Sequence, residues 1–172
     1  FIKEKESAIN KILPDLQKRF RAIAHTDGAH MYKGMEGFKN YLQDILDVNE
    51  TVYFIGAKGF WLDERLKYFL PKFDKERVKK GIHFRHIFDY EVKARAAEIL
   101  KLKLNEFRFL PKEFSSHAAV DIFGDRVVNF YGAKPGLLGE EPVQFVIISR
   151  QIADGYRKFF EFMWEFCEKG NV

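Results

Sequence analysis

The sequence predicts an α/β fold: a mixed, mostly parallel sheet flanked by helices, with an N-terminal helical arm. Three observations carry this. Short runs of β-branched and aromatic residues alternate with helix-period stripes through the first two thirds of the chain. A hairpin signature follows, and strands then cluster towards the end. The opening residues repeat an apolar side chain every seven positions, the period of a coiled-coil seam.

In chain order, Ile2, Ile9, Leu16 and Ile23 are seven apart, and Leu13 and Phe20 fall four after Ile9 and Leu16. Pro14 divides the stripe, because proline suits the first turn of a helix and breaks its interior. Residues 1–24 are therefore read as an arm and residues 25–172 as the domain. The seam of Ile9, Leu13, Leu16, Phe20 and Ile23 either dimerises or packs on its own domain. Ala29–Lys33 is a short strand, and Met35, Phe38, Leu42, Ile45 and Leu46 mark an amphipathic helix after Gly34. Thr51–Ile55 reads as a buried strand closed by Gly56 and Gly59. Asp63 is the expected N-cap of a helix carrying Leu66, Phe69, Leu70, Phe73 and Val78, bent or split by Pro71 and ended by Gly81. Ile82–Phe88 is the next strand, Glu91–Leu102 a helix and Glu106–Leu110 a strand. Ala118–Phe123 and Val127–Tyr131 form a hairpin about Gly124-Asp125, a pair suited to positive φ. A Gly- and Pro-rich loop, Ala133–Pro142, leads to the strand Pro142–Ser149. The closing helix, Gln151 to Glu168, carries Ile152, Tyr156, Phe159, Phe160, Met163, Trp164 and Cys167, an aromatic stripe that reads as core packing.

Composition narrows the class. A chain of 172 residues fits one domain with a sizeable core. With 47% hydrophobic residues and 19 Phe, it is too apolar for a disordered chain. The single cysteine, Cys167, excludes an internal disulfide and a Cys-based zinc cluster, so a reducing, cytoplasmic setting is expected. No apolar run approaches the ~20 residues of a membrane-spanning helix, and Phe1–Lys5 does not open a signal peptide. A net charge of +4 is a mild excess that fits a solvated mixed-charge surface. The chain opens at Phe1 inside a charged helical pattern, which reads as a fragment with something upstream.

Chemistry-bearing motifs are sparse. Gly56-Ala57-Lys58-Gly59 lies between a strand and a helix but lacks the spacing of a phosphate-binding loop. His83 and His86 are three apart in a strand and point to opposite faces, so they do not share a metal. His86 shares the face of Phe84 and Phe88 and reads as a core or boundary histidine. Cys167 reads as a structural thiol, and no serine sits in a nucleophile elbow. No metal and no cofactor are expected. Ligands of open α/β sheets bind beyond the carboxyl ends of strands, which nominates Lys58, Trp61, Asp89, His117 and Tyr131.

The stretch Ser115-Ser116-His117-Ala118-Ala119-Val120-Asp121-Ile122-Phe123-Gly124-Asp125 resembles the catalytic hairpin of the phospholipase D superfamily. That resemblance implies a histidine nucleophile at His117, followed two residues later by a lysine that neutralises phosphate. Ala119 stands in the lysine's place, Asp125 is displaced by one from the expected acid, and only one copy of the motif is present. A phosphodiester transition state needs cations for its negative charge, so the chain is expected to do no catalysis. Met31–Gly37, Val52–Gly59, Glu76–Asp89, Asn105–Pro111 and Tyr156–Glu165 together resemble archaeal transcriptional regulators of the TrmB type, which carry a degenerate phospholipase D-like domain. The resemblance implies a homodimeric regulatory module, open to a ligand-sensing role, that reaches DNA through a winged helix-turn-helix outside this sequence. The alternatives are a divergent phosphodiesterase, with Arg126 or Lys134 replacing the lost lysine, and a stand-alone protein-interaction domain. No membrane partner is expected.

Overall fold

The computed structural model describes residues 12, 27–60, 63–95, 97, 101–132 and 134–169. The arm seam of Ile9, Leu13, Leu16, Phe20 and Ile23 lies outside these residues, as does Trp61. The strands are β1 (Gly28–Lys33), β2 (Val52–Ala57), β3 (Phe84–Phe88), β4 (Asn105–Phe109), β5 (Ala119–Phe123), β6 (Arg126–Tyr131), β7 (Val143–Ile148) and β8 (Glu168–Lys169). The helices are α1 (Gly34–Val48), α2 (Leu70–Lys79) and α3 (Arg150–Phe166).

All eight strands form one sheet in the order β1-β7-β6-β5-β2-β3-β4-β8. The expected α/β class holds, but the sheet is mostly antiparallel rather than mostly parallel. Only β2/β3 and β3/β4 run parallel. The other five junctions are antiparallel. The reason is in the connections. A parallel neighbour needs a crossover of a dozen or more residues, and a two-residue turn permits only an antiparallel one. Gly124-Asp125 joins β5 to β6, and β7 then pairs with β6 and with β1. Within that turn only Gly124 has a positive φ, at 54°.

The period-2 alternation of the strands sends side chains to two cores. On one face Phe84, Phe88, Val128 and Phe130 meet Phe38, Tyr41, Leu42 and Ile45 of α1 and Phe73 of α2. On the other, Ile87, Ile122 and Val127 meet Ala153, Phe160 and Trp164 of α3. Phe160 is fully buried, a contribution of roughly 1.5–3 kcal/mol. The guanidinium groups of Arg85 and Arg108 lie 4.5 and 4.7 Å from the Trp164 ring, which clamps α3 to β3 and β4.

Two element expectations change and one is refined. The helix from Asp63, expected to be bent or split by Pro71, is split before Leu70. Asp63 caps a 3-10 turn, Glu64–Leu66, accepting from the Arg65 N–H at 3.0 Å, and α2 starts afresh at Leu70 with Pro71 in its first turn. The expected Glu91–Leu102 helix is a 3-10 stretch, Tyr90–Arg95, in its described part. The α3 stripe is only partly core: Ala153, Phe160 and Trp164 are buried, whereas Ile152 and Phe159 are 42% and 63% exposed. A helix on a sheet buries one stripe, and the apolar positions of α3 span more than one.

Candidate functional site

The site begins where β2, β3 and the β4–β5 connection converge. Gly56 has φ 67°, and a Cβ there would stand 2.8 Å from the carbonyl oxygen of Ala118, so only glycine lets β2 run this close to the start of β5. The next residues carry Lys58 inward, where it is 2% exposed. Its Nζ donates to Asp89 Oδ2 at 2.6 Å and also to the carbonyl oxygen of Ser116. Asp89 follows β3 and is fully buried. It accepts from the Ser115 hydroxyl at 2.7 Å and from the Ser116 and Glu91 N–H groups at 3.1 and 3.0 Å. Burial alone would raise the Asp89 carboxyl. The bonds from Lys58, Ser115, Glu91 and Ser116 outweigh it and hold the group below the usual carboxylate range. One ion pair thus pins three chain segments and sets the course of Ser115–His117.

Above this pin lies a cavity of about 820 Å³ lined by Tyr90, Glu91, Lys93, Ala94, Lys112, Ser115, Ser116 and His117. Its ionisable lining is Tyr90, two lysines, one glutamate and a histidine, and Lys93 is also paired with Glu168 at 2.8 Å. Beneath the pin a second cavity, about 30 Å³, is lined in part by Tyr41, Lys58, His86, Ala119 and Asp121. His86 is sandwiched between Phe54 and Phe88, with ring centroids 4.0 and 4.5 Å away, and its Nδ1 lies 2.6 Å from Asn105 Oδ1. Burial lowers its pKa to about 3, so the ring is neutral and Nδ1–H is the donor. Burial pushes the Asp121 carboxyl up to about 8, and Tyr41 donates to it at 2.5 Å.

The sequence-nominated residues therefore divide. Lys58 and Asp89 meet, but as the buried support of the cavity rather than its lining. His117 is exposed and lines it. Tyr131 stands 81% exposed at the end of β6 and is not part of that lining. Lys93, Lys112, Glu91 and Tyr90 were not nominated, although all four follow the carboxyl ends of β3 and β4, where the strand-end rule applies. Neither substitute for the missing lysine serves. Arg126 is at the turn end of the hairpin, bound to Asp125 at 2.6 Å, whereas His117 precedes the opposite end. Lys134 bridges to Leu137 on another loop. Ala119 is buried and lines the small cavity that Lys58 enters from β2. Among the described residues no cluster of metal-ligating side chains occurs, and no helix is long and apolar enough to cross a membrane.

No family model and no curated protein matches the chain. Solved structures do. The chain is similar to TrmBL2, an archaeal chromatin protein whose structure shows a mode of DNA binding, with 16% identity, a TM-score of 0.55, and 98% of this chain and 65% of that one covered. It is similar to Nuc of Salmonella typhimurium, a phospholipase D family member, at 11% identity and TM-score 0.63, covering 86% of this chain and all of Nuc. It is similar to phosphatidylserine synthase of Haemophilus influenzae at 11% identity and TM-score 0.54, covering 84% of this chain and 40% of the synthase. The fold is therefore phospholipase D-like, related to that of TrmB-like proteins. The chain spans about two thirds of TrmBL2.

The expectation of a chain without catalysis is overturned by these neighbours, since a phospholipase D family member and a synthase share its fold. The physical argument behind it was also incomplete. Ala119 removes one cation from the hairpin, but Lys112 brings one to the cavity from another segment, and Lys93, paired with Glu168, stands at the same lining.

Proposed function

We propose that this chain is the regulatory module of a DNA-binding protein, with two copies paired and an anionic effector held in the cavity at His117. The observation that carries the reading is the extent of the TrmBL2 likeness. It takes in 98% of the chain, whereas Nuc and the synthase match 86% and 84%. The likeness supports a role beside DNA in a longer protein. The cavity supports the effector. Lys112 and His117 offer N–H donors, Lys93 adds a third whose charge is shared with Glu168, to which its Nζ donates at 2.8 and 2.9 Å, and the Lys58–Asp89 pin preorganises Ser115 and Ser116. An effector bound there shifts DNA affinity only if one arrangement of the pair binds it better than another. The test is to crosslink the native protein to DNA in its own cells and recover the bound fragments. Recovery of a defined set of sequences is expected. Recovery no better than an untagged control would sink the reading.

One observation favours a second reading, hydrolysis of a phosphodiester: His117 faces a cavity that also holds two lysines. His117 would attack phosphorus and displace one ester oxygen, which leaves as an alcohol with a proton from solvent; water would then break the N–P bond to release the phosphomonoester and free His117, with Lys93 and Lys112 meeting the developing charge. Hydrolysis of a chromogenic phosphodiester by the wild type and by His117→Ala decides it. A rate lost in the variant supports this reading, and equal background rates end it.

A further inference from the structure

One face of α3 has no partner among the described residues. Ile152, Phe159 and Phe166 recur every seven residues and are 42%, 63% and 71% exposed. Gly155 and Phe162, again seven apart, complete an a/d stripe, with Phe162 67% exposed. This stripe is separate from the buried one of Ala153, Phe160 and Trp164. Beside it runs an apolar groove of about 580 Å³, walled by Ile55, Leu110, Phe114 and Val120.

Gly155 is the unexpected member. Glycine weakens a helix interior relative to alanine, and a Cβ at 155 would meet nothing within 4 Å. Nothing within the described fold requires glycine there. Lys158 and Glu165, which flank the stripe seven residues apart, are both exposed, and among the described residues neither has an ion pair.

We infer that a second copy of this chain docks here, with the two α3 helices antiparallel about a two-fold axis near Phe160 and Glu161. This deepens the paired-copy element of the function proposed above and rests on it only for the existence of a pair. In that arrangement Phe159 meets Phe162 of the other copy, twice, as an isologous contact requires. Phe166 of each copy falls over Gly155 of the other, so a large side chain enters the place where none stands. Lys158 comes beside Glu165 of the other copy, the flanking pairing that sets helix orientation. A parallel pairing does none of this: Gly155 would face Gly155, and Lys158 would face Met163. The area also suits. Three phenylalanines about two-thirds exposed present roughly 400 Å² of apolar surface, about half of the ~800 Å² that each partner gives to a standard interface. Ile152, Phe114 and the groove walls extend the same surface.

Sedimentation equilibrium of the full chain over a wide concentration range tests this, with circular dichroism as the check on folding. The wild type is expected to dimerise. Phe162→Glu weakens the dimer by about 100-fold or more. Lys158→Glu, which sets two carboxylates together on each side, weakens it by at least about tenfold, and Lys158→Glu with Glu165→Lys restores it. Gly155→Leu blocks Phe166 and yields monomer. A wild type that stays monomeric overturns the inference. So does a dimer untouched by Phe162→Glu and Lys158→Glu, which would place pairing elsewhere in the chain and leave the regulator reading standing. A double charge swap that fails to restore pairing overturns the antiparallel arrangement. Recovery of DNA from cells is read separately, so failure of the regulator reading and failure of this interface are told apart.

Discussion

Lys58 and Asp89 lose their hydration together, and the pair is stable only because other donors complete the carboxylate's shell. Besides Lys58, Asp89 receives the Ser115 hydroxyl and two backbone N–H groups. Lys58→Met removes the cation and leaves a buried carboxylate. The expected cost is about 3–5 kcal/mol in chemical denaturation, with a large part recovered in Lys58→Met/Asp89→Asn. A loss under about 1 kcal/mol would mean that the pair is not the pin described here. The strand-end rule made Lys58, Asp89 and His117 legible in the sequence, because each directly follows or precedes a recognisable strand. It did not show that the first two are buried beneath the third. That depends on Ser115 and Ser116 folding back over Asp89, a contact 26 residues away in sequence.

At the scale of elements, strands and tight turns were readable and connections were not. TVYFI and the Gly124-Asp125 hairpin announce themselves through β-branched runs and turn chemistry. Strand direction depends on which edge a strand joins, and no local pattern encodes that, so the antiparallel majority went unread. The extent of α3's buried stripe also depended on how much sheet lay beneath it. Gly124 joins local and tertiary demands. Its φ is 54°, and a Cβ there would lie 2.6 Å from Val48 Cγ1 at the end of α1. Gly124→Ala is expected to destabilise by about 1–2 kcal/mol from the backbone alone, and by more through the clash. Adding Val48→Ala should recover only the clash. If the single variant unfolds at the wild-type midpoint, the turn does not hold this conformation in solution.

At the scale of the whole molecule, two buried titrating groups on the α1 side of the sheet shape stability against pH. Asp121 is raised from 3.8 to about 8, so the folded state holds its proton over a range where the unfolded chain releases it. Its contribution is fully present below about pH 4 and is lost as pH rises through 8. His86 is lowered from 6.5 to about 3, so the unfolded chain takes the proton first. Its contribution is full above 6.5 and is lost as pH falls towards 3. Between about pH 4 and 6.5 the two slopes oppose each other, and stability is nearly level. Above 6.5 only Asp121 still titrates, and stability declines by up to about 1.4 kcal/mol per pH unit until about pH 8. Below 4, Asp63 and Asp89, both held below the usual range by their hydrogen bonds, add to the loss. Melting temperature followed from pH 5 to 9 should show that one-sided fall. Asp121→Asn keeps an oxygen acceptor for Tyr41 and carries no titrating proton, so its curve should rise from pH 5 to about 6.5, where His86 titrates unopposed, and run level above that, without the wild type's fall. If the wild type is as stable at pH 8.5 as at pH 6, Asp121 already carries its charge in the folded protein. The Tyr41 hydroxyl would then be bonding to a carboxylate that water or a cation reaches through the small cavity beneath the site.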